Sequence, residues 1–223
     1  MKIFVFGSCR IWNACYNNNW SDKNSVIQSH YSDEIQQIIN WIVEKKNLSK
    51  EEYDTFRGNV SPINWKKYIQ NFQQSEVVLI EISSIKNAYL NGLYYNLLNT
   101  YDIPTQINAN IHDKIINLHC QLKKLGKEVI FFTHANSYSK RNKGFITNRI
   151  HIQEEFKNAI KKHPAITFID PSELISKYGQ LRCLQPKIIN DGTDGVHDEF
   201  DINHYTDFMH KLIAASIEMK TRH

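Results

Sequence analysis

Apolar residues in this chain fall into short unbroken runs separated by stretches with a single apolar face, and the two patterns alternate. Ile3–Phe6, Val77–Ile82 and Val129–Phe132 are runs of β-branched and aromatic residues, the pattern of strands covered on both faces. Ile166–Ile169 begins after Pro164 and ends at Asp170-Pro171, and Ser25–His30 is a weaker strand candidate. Helical patterns lie between them. Ser32 precedes Asp33 and Glu34 as a capping residue, with Ile35, Ile38, Ile39 and Ile42 on one face. Ser61-Pro62 predicts a helix start running through Trp65 and Tyr68. Ile111–Leu125 carries Ile115, Ile116, Leu118 and Leu122 and stops at Gly126, a suitable C-cap. Arg149–Lys162 and Asp207–Lys220 complete the set, the last helix with Thr206 as its N-cap. This alternation predicts an α/β fold: a three-layer, doubly wound parallel sheet with right-handed crossovers.

At 223 residues the chain suits one domain spanning 1–223. The 41% hydrophobic and 22% charged composition excludes collagen, a disulfide mini-scaffold and a wholly disordered chain. No apolar run approaches the ~18 residues of a membrane span, and Met1–Phe6 leads straight into a Gly-Ser-Cys turn without a signal-peptide core, so the expected compartment is cytoplasmic. A net charge of +4, spread along the chain, argues against a nucleic-acid partner. Cys9, Cys15, Cys120 and Cys183 form no CxxC pair and no Cys/His zinc spacing, so no metal is expected. Abundant Asn, Ile and Lys with scarce Gly and Ala match an AT-rich genome, such as that of some large DNA viruses or low-GC bacteria.

In a doubly wound sheet the ligand sits outside the carboxyl ends of the strands, which directs attention to the segments that follow each one. After the first strand, Gly7-Ser8-Cys9-Arg10 sets two nucleophile candidates at a strand-to-helix turn. Gly7 permits the turn, helix N–H groups can hold an oxyanion, and a helix N-terminus favours thiolate. A small buried thiol is the alternative for Cys9. Before the last helix stands Asp201-x-x-His204, in which Asp201 can orient an imidazole that acts as base. Asp194 and His197 repeat that spacing without a capped helix, and Asx-turns are the alternative for both. Thr133-His134-Ala135-Asn136 follows the central run, with His134 a substrate binder, a base or a locally paired histidine. Lys140, Arg141 and Lys143 form a basic loop suited either to phosphates or to plain solvation. Tyr89, Tyr94, Tyr95 and Tyr101, and the long 178–205 segment, are candidates to cover a pocket and stack on a sugar, or ordinary packing.

Together, a nucleophile after the first strand and D-x-x-H before the last helix resemble the SGNH/GDSL hydrolase superfamily, with its flavodoxin-like fold. The resemblance sets Cys9 at the nucleophile position, Ser8 at the position of the motif's aspartate, and Asp201 and His204 on the D-x-x-H. The G-S-C-R turn is closer to the WcbI-type polysaccharide-biosynthesis branch, where G-N-C-Q stands here and coenzyme A is a ligand. The superfamily's G-x-N-D block has no match in Glu81-Ile82-Ser83-Ser84, and its nearest asparagine, Asn87, is out of register; Gly58 stands near the glycine block.

The resemblance implies a Cys(or Ser)-His-Asp acyltransferase with acetyl-CoA as donor. Its small-molecule acceptor would be a sugar or amino-sugar nucleotide of surface glycan biosynthesis, as acetylated by similar giant-virus enzymes. Catalysis would fall to Cys9, Ser8, His204 and Asp201, and substrate binding to Gly7, Arg10, Gly58, Ser83, Ser84, Asn87, His134, Asn136 and His197. An esterase or deacetylase acting on acylated carbohydrate is the first alternative, and a non-catalytic carbohydrate- or nucleotide-binding module the second. The absence of G-x-G-x-x-G and Walker A patterns counts against dinucleotide or NTP binding.

Overall fold

The apolar runs form one parallel sheet. Strands β1 (Ile3–Phe6), β2 (Val26–Ile27), β3 (Val77–Glu81), β7 (Glu128–Phe132) and β8 (Thr167–Ile169) assemble in the order β2-β1-β3-β7-β8, every neighbouring pair parallel. This is the flavodoxin-like order of a doubly wound sheet, whose switch point lies between β1 and β3. Register is continuous across the centre: Phe6 pairs with Ile80, and Ile80 with Phe131. The computed structural model describes residues 1–29, 31–56, 60–96, 103–108, 110–134, 143–186 and 200–221, with backbone alone at 143–149, 186 and 200–203.

Alternation along the strands divides the core into two layers. Phe4, Phe6, Val78, Ile80, Val129 and Phe131 pack with helices α2 (Ser32–Val43), α4 (Pro62–Gln74), α5 (Ile111–Lys124) and α6 (Lys143–Lys162). Ile3, Val5, Val77, Leu79, Ile130 and Phe132 pack on the other face with α1 (Cys9–Tyr16), α7 (Pro171–Tyr178), α8 (Gln180–Cys183) and α9 (Asp207–Thr221). A short helix, α3 (Lys50–Tyr53), edges the first layer through Tyr53. The three layers expected from the sequence are therefore present.

Helix ends follow the local chemistry in most cases. Ser61 and Asn64 form a capping box at the start of α4, and Thr206 Oγ1 accepts from Met209 N–H at 3.3 Å to open α9. Gly126, at φ 74°, follows α5 in the left-handed region. Lys127 is buried and donates to the carbonyls of Phe72, Gln73 and Ser75 at 2.5–2.9 Å, closing the C-terminus of α4. The α2 boundary differs by one residue: Tyr31 is the cap and Ser32 the first helical residue.

Two small sheets were not expected. β4 (Lys86–Leu90) pairs antiparallel with β5 (Leu93–Tyr95) and with β6 (Thr105–Ile107). Its hairpin turns at Asn91-Gly92, φ 51° and 84°, the two positive values of a type I′ turn. Gln37 of α2 exchanges hydrogen bonds with the Tyr94 backbone at 2.9 and 3.0 Å, docking the hairpin on that helix. The second is β9 (Leu184–Pro186) against β10 (Phe200–Tyr205). His204, expected in a loop, therefore lies in a strand, which interrupts its pairing between Asp201 and Tyr205 with a register shift.

Candidate functional site

The switch point holds a buried carboxylate. Glu81 closes β3, is 1% exposed, and faces the turn that follows β1. Its Oε2 accepts the Ser8 backbone N–H at 2.6 Å. Oε1 lies 3.0 Å from His134 Nε2 and 3.3 Å from Arg10 Nη2. Arg10 Nε donates to Ser8 Oγ at 2.9 Å, and Arg10 Nη2 also meets His134 Nε2. One nitrogen serves two neighbours there: Nε2 accepts from Arg10 when it carries no proton and donates to Glu81 when it does. Ser8, Arg10 and His134 are all buried, so the cluster ties together the carboxyl ends of β1, β3 and β7.

Gly7 is the residue this cluster requires. A Cβ at position 7 would lie 2.8 Å from Glu81 Cβ and 2.9 Å from its Oε2, so any side chain would drive the carboxylate from the turn. With Glu81 seated, Ser8 takes extended backbone as the N-cap of α1 and Cys9 becomes the first helical residue. The Cys9 side chain is exposed while Ser8 Oγ is buried against Arg10. The N–H groups of Cys9 and Arg10 belong to the first helical turn, which has no intrahelical acceptors for them.

The remaining expected residues divide between the switch point and other places. α1 lies against both α9 and β10, so the Gly7–Arg10 segment and the strand of Asp201 and His204 belong to neighbouring elements of one layer. His204 is exposed, and Asp201 stands opposite Gln185 in the β9–β10 ladder. Ser83 and Ser84 are half-buried just past β3, and Ser84 Oγ accepts from Lys86 N–H at 3.0 Å in the turn into β4. Asn87 is buried, and its amide donates to Asp33. Asp33 also accepts from Asn108 at 2.9 Å and pairs with Lys114. Gly58, Asn136 and His197 lie outside the described residues, as do Lys140, Arg141 and Tyr101; Lys143 opens α6. Tyr89 and Tyr94 pack ring on ring at 4.8 Å within the hairpin.

Sequence reasoning passed over Glu81, although one signal was present: an acidic residue ends the otherwise apolar run Val77–Ile80. Glu34, in the first turn of α2, is a second buried carboxyl beyond the ends of the strands. Asn96 donates to it at 3.1 Å, and burial pushes its pKa up to about 8.

A doubly wound α/β domain with its polar cluster at the β1/β3 switch point is a ligand-site architecture shared by many activities. The TviD N-terminal domain model matches residues 95–219, more than half of the chain. The chain belongs to that family, a domain related to polysaccharide (Vi antigen) biosynthesis. The matched span includes His134, Asp201 and His204 and begins after the Gly7–Arg10 turn and Glu81. No curated protein and no solved structure matches the chain. Among the described residues no helix is long and apolar enough to cross a membrane.

Proposed function

We propose that the chain is an acyltransferase of polysaccharide biosynthesis, carrying an acetyl group from acetyl-CoA to a sugar or amino-sugar nucleotide. The observation that carries this reading is the exposed Cys9 at the N-terminus of α1, on a turn held rigid by buried Glu81 at the sheet's switch point. Membership of a polysaccharide-biosynthesis family supports a carbohydrate acceptor.

In this mechanism the Cys9 thiolate attacks the thioester carbonyl, and first-turn N–H groups of α1 hold the oxyanion. The carbonyl–sulfur bond of acetyl-CoA breaks, and the departing thiolate takes from His204 the proton that His204 drew from Cys9. The sugar hydroxyl or amine then attacks acetyl-Cys9 while His204 accepts its proton, with Asp201 orienting the imidazole. Glu81 and Arg10 position the turn and do not touch the acyl group. Ser8 is a poorer nucleophile candidate because its hydroxyl is buried and already accepts from Arg10.

The test is turnover of acetyl-CoA with a panel of nucleotide sugars, measuring free thiol and acetylated sugar together. One acetylated sugar per thiol is expected. Cys9→Ala should abolish turnover, and His204→Ala should lower it by about 10²–10⁴-fold. Ser8→Ala should retain more activity than either. Thioester or ester cleavage with no acetylated sugar across the panel would make the protein a hydrolase, and full activity in Cys9→Ala would remove the nucleophile assignment.

A further inference from the structure

At the other end of the sheet, α5 and α6 bring together a group of donors that the acyl-transfer reading does not use. His119 and Cys120 are consecutive in the second half of α5, and His163 directly follows α6. Each offers a ligand atom, and the three atoms lie within 4.8 Å of one another. The two imidazoles meet edge to face, centroids 5.0 Å apart. His119 is 4% exposed, and its Nδ1 is buried without a hydrogen-bond partner among the described residues. A buried imidazole nitrogen ordinarily has a partner, so this one calls for an explanation.

We infer that His119, Cys120 and His163 bind a divalent transition-metal ion, Zn²⁺ foremost. Two imidazole nitrogens and one thiolate form a borderline-soft donor set, which suits zinc and disfavours calcium or magnesium. Zinc–nitrogen bonds near ~2.0 Å and zinc–sulfur bonds near ~2.3 Å require donors about 3.5 Å apart, a closure that side-chain rotation can supply. The backbone on one side is already fixed: His163 N–H donates to Ala159 O at 2.8 Å, and its carbonyl accepts from Ile166 at 3.1 Å. Cys120 and His163 are each partly exposed, giving the ion a path in and leaving water for the fourth position. Binding converts the Cys120 thiol to thiolate and releases one proton to solvent. Helices in this fold run antiparallel to the strands, so the ends of α5 and α6 lie at the amino edge of the sheet, away from Cys9. The ion therefore joins two helices and takes no part in acyl transfer.

Titration of the metal-free chain with Co²⁺ and Zn²⁺ tests this. One equivalent of Co²⁺ should produce the near-ultraviolet charge-transfer band of a cobalt–thiolate bond, Zn²⁺ should displace it, and Zn²⁺ should raise the melting temperature. Cys120→Ala should lose the band, and His163→Ala should weaken Zn²⁺ binding by at least about tenfold. Cys9→Ala should keep both signals. Cys120 and His163 are half-exposed, so both variants should fold, which circular dichroism checks without metal. Absence of the band in the wild-type chain, unchanged binding by Cys120→Ala, or loss of the band in Cys9→Ala would overturn the site.

Discussion

Two carboxylates stand near the strands' carboxyl ends, Glu81 as the last residue of β3 and Asp33 at the start of α2, and each gathers a cation and neutral donors. They differ in access to water. The Glu81 and Arg10 side chains are 1% and 7% exposed, whereas Asp33 and its partner Lys114 are 11% and 31% exposed. A buried ion pair adds little net stability but is costly to break, because the abandoned charge cannot reach water. A half-open pair can rehydrate. The Glu81 cluster accordingly fixes a single conformation of the Ser8–Arg10 turn, while the Asp33 cluster clamps β4 and α5 to α2 through Asn87, Asn108 and Lys114.

The largest effect expected from this contrast is at Glu81. Glu81→Ala leaves Arg10 buried without its carboxylate and should cost about 3–5 kcal/mol in denaturant unfolding. A loss below that of Asp33→Ala would break the comparison. Glu34, beside Asp33 in the same helical turn, sharpens it through pH. Its folded-state pKa of about 8 stands above the ordinary value of 4.5, so the folded chain holds an extra proton between those values. The resulting stability is complete below pH 4.5 and is lost as pH rises through 8. The unfolding free energy should fall over that window by at most ~1.4 kcal/mol per pH unit, the melting temperature should fall with it, and Glu34→Gln should flatten both curves. Asp33→Ala should have the smallest effect, about 1–3 kcal/mol, because Lys114 regains water; increased proteolysis near β4 should accompany it.

The same difference between local and distant causes explains how legible the molecule was. β1, β3 and β7 follow from their apolar runs to within a residue, and α4, α5 and α9 from a Ser-Pro start, a glycine and a threonine. The β4–β5 hairpin also had a local signal, Asn91-Gly92 between two leucines. The β9–β10 ladder had none, because its partners are separated by a long polar stretch and pair with a register shift.

The sequence by itself determined the layered α/β fold, since the period of apolar residues and the helix-end chemistry act over a few neighbours. It also marked Gly7–Arg10 and Asp201–His204 as candidate site segments. Tertiary structure alone decided what surrounds them. Glu81 reaches Ser8 and Arg10 across 71–73 residues, which explains why position 7 admits only glycine and why Ser8 is covered while Cys9 is open. Likewise His163 meets His119 and Cys120 only because α5 packs on α6. Burial, ion pairing and donor convergence are properties of neighbours in space, and the spacing of residues along the chain does not contain them.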